Sequence, residues 1–156
     1  MKYKQLSKEQ FEELYEEFAK FLATQQIDAK EWELAKKENS KLVEEELNLF
    51  SDMVWEKVLQ KSSYLEHFSE LNINLFKCDG EKMYRIVVQV EKANFNFYNN
   101  DDYQWFIDNT DDDTIEFLKG EKEYTMERNL EIFDLIQKGA VISDGKLFDS
   151  LLKLIT

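Results

Sequence analysis

Proline is absent from this chain of 156 residues, cysteine and histidine occur once each, and glycine only four times. The lone Cys78 has no second thiol to pair with inside the chain, so a reducing compartment is expected. The lone His67 completes no Ser-His-Asp or Cys-His arrangement. With Glu70 it supplies two ligands, where catalytic zinc wants three from the protein. The four glycines (Gly80, Gly120, Gly139, Gly145) stand more than five residues apart, so neither the Walker loop nor the dinucleotide loop can be built. Glu-x-Lys occurs nowhere, which removes the common metal-nuclease triplet. No apolar run exceeds four residues, against the ~20 needed to span a bilayer. The opening passes directly into Ser-Lys-Glu-Gln and an amphipathic pattern. No signal peptide is read there, and a cytoplasmic protein is expected.

Basic residues are missing from one place in particular. Between Lys92 and Lys119 there is no Lys or Arg, yet Asn99–Glu116 reads NNDDYQWFIDNTDDDTIE. Its seven carboxylates (Asp101, Asp102, Asp108, Asp111, Asp112, Asp113, Glu116) carry −7 of a formal −13. Tyr103, Trp105 and Phe106 sit among them. An acidic chain repels nucleic acid and anionic membrane, whose binding rests on phosphate neutralisation or attraction to anionic lipid. The expected counterpart is a basic protein surface or a cation. Plain solubility explains the same charge without a partner.

What is present reads as one globular domain over 1–156. With 43% hydrophobic and 14% aromatic residues there is enough for a core. Ser7 with Gln10 fits a capping box. Phe11, Leu14, Tyr15, Phe18, Phe21 and Leu22 then recur at helical spacing, predicting one amphipathic helix of about four turns. Asp28 with Glu31 opens a second helix, and Ser40 is expected to cap a third, with Val43, Leu47, Phe50, Val54 and Val58 on one face. Ser62 or Ser63 would start a short helical piece through Phe68. The period then changes to two. Asn72–Cys78 and Glu81–Val90 flank Asp79-Gly80, a hairpin signal resting on two turn residues at positive φ. Asn94–Tyr98 predicts a strand with Phe95 and Phe97 inward. Tyr103–Ile107 is compatible with strand or helical turn. Thr114–Leu118 and Glu121–Thr125 predict a second hairpin around Lys119-Gly120. Thr125 is expected to cap a helix ended by Gly139, and Leu147–Ile155 forms the last. The expectation is an α+β fold: N-terminal helices, a central antiparallel sheet of three to five strands and two C-terminal helices.

The segments KYKQLSKEQFEELYEEFAKFLATQQIDAKEW, EEELNLFSDMVWEKVL and YLEHFS resemble a domain-of-unknown-function family of small acidic bacterial proteins. The resemblance implies a whole-length, single-domain protein. It implies no activity and no catalytic residues.

The acidic stretch invites a calcium test. An EF-hand loop begun at Asp108 places Asp113 where glycine is required and Lys119 where a bidentate Glu is required, so the motif fails. A looser divalent site on Asp111, Asp113 and Glu116 remains to be weighed. His67 and Glu70 would share a face if helical, as a weak base or half a metal site; an ordinary helix-surface pair, or a cap at a helix end, is the preferred account. Cys78 reads as a small apolar strand residue rather than a reactive thiol. The expectation is therefore a non-enzymatic interaction protein that needs no cofactor or metal. It docks on a basic partner through Asp101, Asp102, Tyr103, Trp105, Asp108, Asp111, Asp112, Asp113 and Glu116, with no direct contact to nucleic acid or membrane. Docking expects an exposed aromatic among those acids, although Trp105 and Phe106 also fit ordinary core. A nucleic-acid-mimicking inhibitor or immunity-type protein is one alternative, and a metal-dependent enzyme built on His67, Glu70 or the aspartates is another.

Overall fold

The capping box at Ser7 forms as expected in the computed structural model, which describes residues 1–156. The chain divides into two compact units, Met1–Val58 and Leu59–Thr156. No helix is long and apolar enough to cross a membrane.

The first unit holds α1 (Lys8–Glu13), α2 (Tyr15–Thr24), α3 (Ala29–Glu38) and most of α4 (Ser40–Lys61). Phe50 on α4 is fully buried and packs against Phe11, Phe18 and Phe21, with ring centroids 5.0–5.9 Å apart. The single N-terminal helix expected from periodicity is two helices, broken at Leu14 (φ −100°, ψ 24°). Apolar spacing continues across the break, so the pattern does not register it. Asp28 accepts from the Glu31 N–H and starts α3. The cap of α4 is Asn39 rather than Ser40, because the Asn39 side-chain oxygen accepts from the Leu42 N–H. The extended first residues are tied to α4 by Asp52, which accepts from the N–H groups of Lys2 and Tyr3.

The second unit is a five-stranded antiparallel sheet with three helices. Its strands are β1 (Tyr64–Phe68), β2 (Asn72–Cys78), β3 (Lys82–Val90), β4 (Ile115–Glu123) and β5 (Val141–Ser143), in the order β4-β3-β2-β1-β5. The helices are α5 (Asn100–Asp108), α6 (Arg128–Gln137) and α7 (Lys146–Ile155). Side chains alternate across the sheet. Ile73, Leu75, Ile86 and Val88 bury one face with Phe106 of α5 and Phe148 and Leu151 of α7. Asn74, Phe76 and Arg85 point to the other face, the side of α6. Gly145 opens α7 at φ +79°, where a Cβ would lie 2.5 Å from the Tyr64 ring, so only glycine fits.

Five local expectations are corrected. Residues 64–68 are strand rather than helix, because they pair with both β2 and β5 and tertiary pairing outweighs local preference. Asn94–Tyr98 is irregular rather than a strand, turned at Asn94 (φ 61°), although Phe95 and Phe97 are buried as expected. The second hairpin is one continuous strand, β4, which pairs residue for residue with all nine positions of β3; Gly120 lies inside it. The Asp79-Gly80 hairpin forms, but neither residue has positive φ, so the turn is not the expected type. Thr125 does not cap α6; its hydroxyl donates instead to Glu131.

Candidate functional site

The undecided segment 103–107 is helical, and Asn99 supplies the reason. Its side-chain oxygen accepts from the N–H groups of Asp101 and Asp102, which fixes the start of α5. Asp101 and Asp102 thereby fall in the first turn, where the helix dipole favours negative charge. Asp102 also accepts from the Asn96 N–H at 3.1 Å. Asp112 has a local role too. It accepts from the hydroxyl and the N–H of Thr114, at 2.6 and 2.9 Å, closing the turn before β4. Those hydrogen bonds, with Lys92 nearby, hold its carboxyl below the ordinary aspartate value.

Asp108, Asp111, Asp113 and Glu116 have no such explanation. All four are exposed. Asp108 is the last residue of α5 and accepts from the Gln104 amide at 3.1 Å. The last turn of α5 carries no base. Asp111 and Asp113 follow in the adjoining turns, so three carboxylates succeed one another where the helix dipole is already negative. None of the seven carboxylates between Asn99 and Glu116 takes part in an ion pair.

The aromatics of the stretch serve the core. Phe106 is fully buried. Tyr103 is half-buried against Phe68 and Phe106, with centroids 6.0 and 6.2 Å away. Burial, reinforced by Glu66, raises its phenol above the ordinary value. Trp105 packs on Phe95 at 5.9 Å and is capped by the Lys92 ammonium, 3.7 Å from its ring centroid. The exposed aromatic that docking expects is therefore neither Tyr103 nor Trp105. Helical spacing turns both toward the hydrophobic cluster. Apolar side chains left exposed beside the acids include Tyr98 (62%), Ile107 (39%) and Leu118 (46%).

The other candidate chemistry is dispersed. His67 lies on β1 and Glu70 in the turn after it, so the shared helix face does not exist. His67 packs beside Gly139, where a Cβ would lie 3.1 Å from its Nε2. No three His, Cys, Asp or Glu residues come together in a group able to hold a metal ion, Asp111, Asp113 and Glu116 included. Cys78 is buried, and burial pushes its thiol up to about 11 against the opposing influence of Arg128.

On the α6 side, Arg128 and Glu131 each meet several partners. Arg128 donates to the carbonyls of Leu59, Ser62 and Cys78 and to the Asn129 side chain, at 2.6–3.1 Å. Glu131, buried at 4% exposure, accepts from the Thr125 hydroxyl and N–H and the Met126 N–H, and meets the Lys122 ammonium at 3.1 Å. Burial works to raise the Glu131 carboxyl, but the donors outweigh it and its value falls below the ordinary one. Sequence patterning missed this cluster, because its members come from two strands, two helices and the loops beside them, and residues 121–125 read as half of a hairpin.

The whole chain, residues 1–156, matches the model of a family of unknown function, DUF6495, and the protein belongs to that family. No curated protein and no solved structure matches it.

Proposed function

We propose that this protein acts by non-covalent contact, not catalysis, presenting the carboxylates of α5 and its following turn to a basic protein surface in the bacterial cytoplasm. The observation that carries the reading is the run Asp108, Asp111 and Asp113 at and just beyond the C-terminal end of α5, exposed and without an ion pair in the chain. Glu116 extends it, and Asp101, Asp102 and Asp112 enlarge the field while also serving the fold. An uncompensated negative surface of this kind steers a basic partner and discriminates against acidic ones. Tyr103 and Trp105 act here as supports of the helix, with Tyr98 and Ile107 among the apolar contacts available to a partner. A free, buried Cys78 accords with the reducing setting.

The test is affinity capture from the native cell at low and high salt. The wild type is compared with a variant carrying Asp108→Asn, Asp111→Asn, Asp113→Asn and Glu116→Gln. The wild type should retain basic partners at low salt and release them at high salt, since screening shortens the range of exposed charge to ~8 Å at physiological ionic strength. Recovery of the same partners by the variant would overturn the reading.

A further inference from the structure

A cavity of about 680 Å³ opens on the sheet face beneath α6, within the range of small-molecule sites. Its floor is apolar, with Phe76 and Met83 buried and Leu135 of α6 beside them. Three carboxylates border it, and each is already matched: Glu131 by Lys122, Asp134 by Lys138 and Glu121 by Lys82. Arg85 is the exception. In a chain with 33 acids it makes no ion pair. Its Nε and one Nη donate to the Asn74 side-chain oxygen, and its guanidinium carbon sits 5.7 Å from the Phe76 ring centroid. The fork is thus held in place by a neutral acceptor. The paired N–H groups at its outer end, the geometry that grips a carboxylate bidentately, remain free. Directly across the β3–β4 ladder stands Gly120, and a Cβ there would meet no atom within 4 Å. The approach over Arg85 is therefore open. The imidazole of His67, which also lines the cavity, makes no hydrogen bond within the chain.

We infer that this cavity binds a small organic carboxylate with an aromatic body. The carboxylate sits on the Arg85 fork and the ring lies over Phe76 and Met83. The apolar floor gives the body a place that inorganic anions do not need, and the single uncompensated cation sets the charge. Asn74 is a positioning residue, because it orients the guanidinium and leaves its outer edge to the ligand.

The experiment uses the full chain and phenylacetate as probe, titrated to about 10 mM, the range of weak fragment affinities. It follows the imidazole signal of the only histidine and the Gly120 amide by NMR. 2-Phenylethanol serves as the neutral analogue. Phenylacetate should move both signals saturably and the alcohol should not. Arg85→Gln should weaken binding about tenfold or more. Gly120→Val should abolish it by filling the approach, while melting at or above the wild-type temperature, because valine suits a strand and the space is empty. No saturable shift in the wild type, an equal response to the alcohol, or unchanged binding by Arg85→Gln would each overturn the inference.

Discussion

Glu131 and Asp108 are both carboxylates near the end of a helix, and they meet opposite surroundings. Glu131 lies in the first turn of α6, buried, with three hydrogen bonds donated to it and a lysine beside it. Asp108 lies at the last residue of α5, exposed, with only the Gln104 amide donating to it, and more aspartates follow. In the first region charge is matched to donors and to the dipole, so it serves stability. In the second it opposes the dipole and is matched by no cation in the chain. Placement, rather than abundance of charge, separates the part that holds the fold from the part free to meet something else.

The sharpest test of that contrast removes Arg128. Arg128→Ala removes the guanidinium that donates to the carbonyls of Leu59, Ser62 and Cys78 and should cost about 3 kcal/mol or more in urea unfolding. Glu131→Gln comes next, at about 2 kcal/mol near neutral pH, because the amide keeps acceptor geometry and loses the charge. The sign with pH follows from a carboxyl held below its unfolded value of about 4.5. Its stabilisation is present above that value and disappears as pH falls through the lower folded one. The two proteins should therefore converge in acid, and a constant gap down to acid pH would contradict the assigned role.

A third substitution supplies the inverse case. Glu46 on α4 is buried at 7% exposure, and one of its carboxylate oxygens has no hydrogen-bond partner. Burial, helped by Glu45, raises its carboxyl. The charged form is thus disfavoured in the fold. Relative stability is highest below the unfolded value and is lost as pH rises through the folded one. Glu46→Gln should raise stability by about 1 kcal/mol at neutral pH, with the gain shrinking toward pH 4.5. The smallest effect belongs to the acidic turn. The fourfold variant at Asp108, Asp111, Asp113 and Glu116 should melt within about 2 °C of the wild type. A loss comparable to that of Glu131→Gln would erase the distinction between the two regions.

Much of the fold is legible in the sequence where local chemistry decides it. The Ser7 box, the Asp28 cap, the 72–90 hairpin, the stop at Gly139 and the final helix all rest on neighbours within a few residues. The errors fall where distant partners decide. Tyr64–Phe68 becomes a strand because β2 and β5 flank it. Lys119-Gly120 becomes mid-strand because β3 offers a ladder nine residues long. The acidic stretch was visible as charge, but its split into fold-serving and unmatched carboxylates was not. That split depends on Asn99 starting a helix and on Thr114 meeting Asp112.

Sequence alone determined the α+β class, the amphipathic N-terminal helices and the concentration of −7 between Asn99 and Glu116, because composition and short-range periodicity carry that information. Only the tertiary structure decided that Tyr103 and Trp105 pack inward, that Glu131 is a satisfied buried acid, and that Arg85, Asn74 and Gly120 share one open sheet face. Those outcomes depend on which strands become neighbours, and strand pairing joins residues far apart in the chain by interactions that no local pattern encodes.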